Sequence, residues 1–141
     1  MTDTLPALKL TYEGARKMLE AAVAKAKAIG VPQCIAIVDD GTNLLAFARM
    51  DGTKILSTDS ATRKAMTAAS SRAATGGMAE GLDIRLAIAT QGKLLNVKGG
   101  TPIVVDGHTI GGIGVGSGTG DQDLEVAKAG LAALPGAKTD F

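Results

Sequence analysis

The chain has 141 residues, of which 45% are hydrophobic, 21% charged and 2% aromatic, with 19 glycines and a net charge of +1. That length predicts one domain over residues 1–141, with a core large enough to need neither disulfides nor a structural metal. Balanced charge and only three such rings, Tyr12, Phe47 and Phe141, argue against a nucleic-acid groove, which joins a basic excess to stacking aromatics.

Cys34 is the single cysteine, so no internal disulfide framework is available. No apolar stretch reaches the roughly 20 residues that span a bilayer. Residues 1–6 lack the basic and apolar regions of a secretory signal. The expectation is a cytoplasmic protein with no membrane partner.

From Thr11 to Ile29 the apolar residues Ala15, Met18, Leu19, Ala22, Val23 and Ala26 recur at helical spacing, which predicts an amphipathic helix stopped by Gly30 and Pro32. Cys34–Val38 and Leu44–Arg49 read as strands, and Asp40-Gly41 between them makes a hairpin. A second helix is predicted over about residues 57–74, with an apolar face made almost wholly of alanine. A short third helix is predicted over residues 82–89. Thr101–Val105 and Thr109–Val115 flank Asp106-Gly107 as a second hairpin. Side chains alternate along a strand, so Gly112, Gly114 and Gly116 leave one face bare. A helix, a ligand or another subunit must cover it. Thr119 and Gln122 form a T-x-x-Q capping box for a last helix that runs to about Leu134. Two hairpins among helices give an α+β domain with a central antiparallel sheet.

Several familiar chemistries are missing. No window of the glycine run satisfies G-x-G-x-x-G, and no Walker A motif is present. His108 is the only histidine, so a structural zinc site within one chain fails on ligand supply. His108 reads either as an exposed turn residue or as a single axial ligand to heme iron. Lys64 sits on the alanine-lined helix, where its ammonium either reaches water or is partly desolvated and suited to acid–base work. Arg49 and Asp51 flank the end of a strand. Gly99-Gly100 precedes Thr101-Pro102, and Pro102 suggests an edge strand because it cannot donate to a ladder.

Six segments taken together carry a resemblance. They are residues 35–39 (IAIVD), 49–52 (RMDG), 64–68 (KAMTA), 99–107 (GGTPIVVDG), 110–115 (IGGIGV) and 122–123 (QD). Their order and spacing over residues 8–134 resemble the GlcG-like, heme-degrading (HbpS-type) family, which also occurs as the C-terminal domain of PduO-type proteins. The resemblance implies a profilin-like α+β fold and assembly into a dimer or larger homo-oligomer. It also implies heme or a related tetrapyrrole as ligand. The chain departs from the family at residues 116–120, GSGTG, where relatives commonly read Ser-Gly-Gly. It also has no histidine in or beside the first helix, where some relatives place a heme contact.

Three functional expectations follow. The first is a small-ligand-binding oligomer that holds heme or a related tetrapyrrole. The second is a small-molecule catabolic enzyme of isomerase or lyase type that uses Lys64 with Asp51 or Arg49. The third is an accessory oligomer without chemistry of its own. The expected ligand position is beside Gly99, Gly100 and Thr101, near Lys64, Arg49 and Asp51, with His108 as a possible iron ligand.

Overall fold

The computed structural model describes residues 2–141. Its elements in chain order are α1 (Tyr12–Ala28), β1 (Cys34–Asp39), β2 (Leu44–Arg49), α2 (Ser57–Ser71), α3 (Leu82–Ala89), β3 (Gly100–Val105), β4 (His108–Gly116) and α4 (Gly120–Ala132). The four strands form one antiparallel sheet in the order β2-β1-β4-β3. The hairpins place β2 beside β1 and β3 beside β4. A β1–β4 pairing joins the two, so β1 and β4 are central. The α+β architecture read from the pattern is the one observed.

Helices cover both faces. On one side Ile35, Ile37, Ile103, Ile113 and Val115 pack against Met18 and Ala22 of α1 and Val126 and Leu131 of α4. On the other side Cys34, Ala36 and Val38 meet Ala61, Ala65 and Ala69 of α2. This two-sided burial explains why β1 reads as an unbroken apolar run instead of alternating.

The bare face of β4 is covered by α2. A Cβ at Gly114 would lie 2.1 Å from the Ala61 carbonyl oxygen, and one at Gly112 would lie 2.2 Å from that of Ala65. Glycine on the strand and alanine on the helix let the two backbones touch. The bare strand face that called for a helix, a ligand or another subunit is thus covered within one chain by the alanine face of α2.

Element ends follow local chemistry. The Thr11 hydroxyl caps α1 by accepting from Gly14 N–H at 3.0 Å. The Thr119–Gln122 capping box of α4 is present in both directions. The second helix ends three residues earlier than its pattern suggested, at Ser71, because Arg72 adopts a left-handed conformation and terminates it. Pro102 lies on β3, which is an edge strand. The outer side of β3 is partly closed by a bridge from Val105 to Ala137 and by Lys138 N–H donating to Val104 O at 2.9 Å.

Candidate functional site

Lys64 does not reach water. It projects from α2 past the end of the sheet, where its ammonium donates to Val115 O at 2.9 Å and meets Asp123 Oδ2 at 3.0 Å. Both side chains are buried, with 5% and 3% of their surface exposed. The other oxygen of Asp123 accepts from Gly118 N–H at 2.9 Å. The capping box sets Asp123 in the first turn of α4, where the helix dipole favours a carboxylate. Since α2 and α4 cover opposite faces, this ion pair clasps the two outer layers around the sheet end. Gly99 leaves the passage open: a Cβ there would lie 2.7 Å from Asp123 Cβ and 3.0 Å from Lys64 Nζ.

Gly100 serves the same packing. Its Cβ would lie 2.6 Å from the Lys64 carbonyl oxygen. Thr75 extends the edge here: its N–H donates to Gly100 O at 2.9 Å, and its hydroxyl accepts from Gly100 N–H at 2.9 Å and donates to Val97 O. Thr101 points to the opposite face, fully buried, and its hydroxyl has no hydrogen-bond partner among the described residues.

Beside this turn lies a recess of about 450 Å³ lined by Thr75, Gly76, Gly77, Lys98, Leu124 and Phe141. A second, of about 210 Å³, shares Thr75 and Gly77 with it and adds Met78 and Asn96. Asn96 Oδ1 holds the intervening loop by accepting from Gly76 N–H at 2.8 Å and Met78 N–H at 3.2 Å. A Cβ at Gly77 would meet nothing within 4 Å, so a flat group can lie against the backbone there. At the rim Lys98 is ion-paired with Asp121 and holds its carboxyl below the ordinary carboxylate range.

The remaining expected site residues lie elsewhere. Arg49, Met50, Asp51, Gly52, Thr53 and Ile55 line a separate recess of about 270 Å³. Arg49 belongs to the opposite edge strand from Gly100, three strand spacings or about 14 Å across the sheet. His108 is exposed at the start of β4. It pairs with Val105 at the other end of β3 from Gly100, about 17 Å along the strand.

The structure thus joins Lys64 to Gly99 and Gly100, but pairs it with Asp123 instead of Asp51 or Arg49. In the sequence Asp123 stands out only as part of the 122–123 (QD) segment at the start of the last helix, and nothing there marks it as the partner of Lys64. Among the described residues no group of three His, Cys, Asp or Glu is placed to hold a metal ion. No helix among the described residues is long and apolar enough to cross a membrane.

Comparisons with known proteins agree over most of the chain. A family model described as "Haem degrading protein HbpS-like" matches residues 10–132. A 15.0 kDa protein of the dhaT–dhaS intergenic region in Citrobacter freundii is 34% identical, covering 86% of this chain and 89% of that one. The corrinoid adenosyltransferase PduO of the same organism is 31% identical over 92% of this chain, which spans only 40% of PduO. Among solved structures, a PduOC:heme complex matches with a TM-score of 0.86 and 28% identity, over 95% of this chain and 100% of that one. HbpS matches with a TM-score of 0.83 and 38% identity, over 94% of each chain.

Proposed function

Because this chain belongs to the HbpS-like family, we propose that it binds heme or a closely related tetrapyrrole. The observation that carries the reading is the likeness in fold, over 95% of the chain, to a protein solved as a heme complex. The adenosyltransferase activity named for PduO forms no part of the proposal, since this chain spans only 40% of that protein.

The residues beside the Gly99-Gly100 turn suit such a ligand. The two neighbouring recesses offer apolar walls at Leu124, Phe141 and Met78, and bare backbone at Gly77. Lys98 at the rim suits a propionate, and the Met78 thioether is the iron-ligand type available in the walls. When bound, heme would supply iron-centred redox or oxygen chemistry, while the chain's own residues bind and orient it and limit water. Gly99, Gly100 and Thr101 shape the neighbouring strand start. His108 would require a second binding place or a second subunit to reach the same iron.

Self-association belongs to the same proposal. Ile55 and Leu56 are 86% and 80% exposed. Helix α3 buries none of its residues and shows Ile84 and Ile88 to solvent. These apolar side chains, instead of the glycine strand, are the surface that a second copy would cover.

Titration with hemin tests the reading. The expected result is a saturable shift of the Soret band at stoichiometric loading, weakened by Lys98→Glu and unchanged by His108→Ala. Absence of saturable binding by the wild-type protein would overturn it.

A further inference from the structure

Five residues other than glycine have positive φ: Thr42, Arg72, Gln91, Asp106 and Ser117. Eight glycines occupy the other such positions, so this chain commonly supplies glycine where the backbone turns left-handed. Asp106 sits in a tight hairpin turn, where its residue type is tolerated. Ser117 is used by its hydroxyl, which accepts from Lys54 N–H at 2.9 Å. Gln91 follows the end of α3, its N–H donating to Ile88 O at 3.1 Å. Thr42 (φ 67) and Arg72 (φ 56) are set apart by the cleft they share. Thr42 is β-branched, for which this conformation is a genuine outlier. Arg72 holds the helix-ending position that glycine normally takes.

These two strained residues line one cavity. A polar cleft of about 350 Å³ has Thr42, Ser70, Arg72 and Thr109 in its walls, together with Asp40 and Gly41. The Asp40 carboxylate is already matched by Lys9 at 2.6 Å. None of the ion pairs among the described residues involves Arg72. Thr42 and Ser70 also wall a second recess of about 190 Å³, whose surface is mostly apolar, with Met66 and Leu94 in its walls beside Lys93 and Thr90. An apolar cavity of about 150 Å³ already admits benzene, so this recess has room for a short alkyl tail.

We propose that this double cleft binds a short-chain monocarboxylate. The head group meets Arg72 and the hydroxyls of Thr42, Ser70 and Thr109, and the tail enters the Met66–Leu94 recess. Strain retained at two positions that glycine would relax is accounted for by the side chains it keeps in the cleft. The guanidinium fork suits a carboxylate, and the apolar recess selects for a tail beyond it. Arg49, Lys64 and the Gly99-Gly100 turn take no part, and the inference does not rest on tetrapyrrole binding.

The test is a chemical-shift titration of amide resonances with acetate, butyrate, hexanoate and inorganic phosphate. The expected result is saturable shifts at Thr42, Ser70 and Leu94, with affinity rising at least about tenfold from acetate to hexanoate as methylenes are buried. Arg72→Gly is expected to weaken hexanoate at least about tenfold while the melting temperature holds or rises, because the helix end relaxes. Leu94→Ala is expected to flatten the dependence on chain length. Four results would each overturn the proposal. They are no saturable shifts with hexanoate, affinity independent of chain length, phosphate binding as tightly as hexanoate, and unchanged hexanoate binding in Arg72→Gly.

Discussion

Replacing Lys64 with methionine keeps most of the side-chain length but removes the ammonium, which leaves Asp123 with the Gly118 N–H at 2.9 Å and no counter-charge. Asp123 is 2% exposed, so water cannot readily take the ammonium's place. Removing one partner of a buried pair costs about 3–5 kcal/mol, because the remaining charge stays desolvated. A domain of this size has a total stability of about 5–15 kcal/mol, so the variant should fold with a melting temperature lower by roughly 10–15 °C. The double variant Lys64→Met/Asp123→Leu removes both charges, and packed apolar replacements of buried pairs are often close to neutral. It should therefore recover most of the loss, with a coupling energy of at least about 2 kcal/mol in the double-mutant cycle. Urea unfolding of the wild type, both single variants and the double variant measures this. If Lys64→Met alone costs less than about 1 kcal/mol, or the two losses simply add, the clasp between α2 and α4 is not what the ion pair provides.

Gly114→Ala forces a methyl into the space held by the Ala61 carbonyl and should destabilise the fold by the upper part of the about 1–3 kcal/mol typical of overpacking; calorimetry checks this, and a loss below about 0.5 kcal/mol would mean that α2 can shift away. At the rim, Lys98 lowers the Asp121 carboxyl below its ordinary value of 3.8 in the folded state, so this pair's contribution is present above that value and fades as pH falls through the lower folded value. Asp121→Asn should leave stability near pH 7 little changed and shallow the acid limb below about pH 4; a steeper acid limb would contradict the assigned sign.

Periodicity and turn chemistry determined the elements, because both act within a few residues. The helical spacing from Ala15 to Ala26, the Asp-Gly turns and the Thr119–Gln122 box each imply their local structure without reference to anything distant. The pattern of the second helix runs three residues past its actual end for the same reason: it continues through Ala74, and only the left-handed turn at Arg72 stops it. The alternating glycines of β4 announced a close approach, yet three coverings satisfied that signal equally. Choosing α2 required the sheet order, in which β4 lies between β1 and β3 and turns its bare face toward the alanines.

Site residues were less legible, because convergence depends on pairs distant in sequence. Lys64 and Asp123 are 59 residues apart and meet only because α2 and α4 flank the same sheet end. Arg49 and Asp51 looked close to Lys64 along the chain, but β2 lies at the far edge of the sheet from β3. Thr42 and Arg72 show no local sign of sharing a cleft. The amino-acid sequence determined what each segment can form, since hydrogen bonding and side-chain alternation are short-range. Tertiary packing alone decided which side chains face one another, since that follows from strand order and from which face each helix covers.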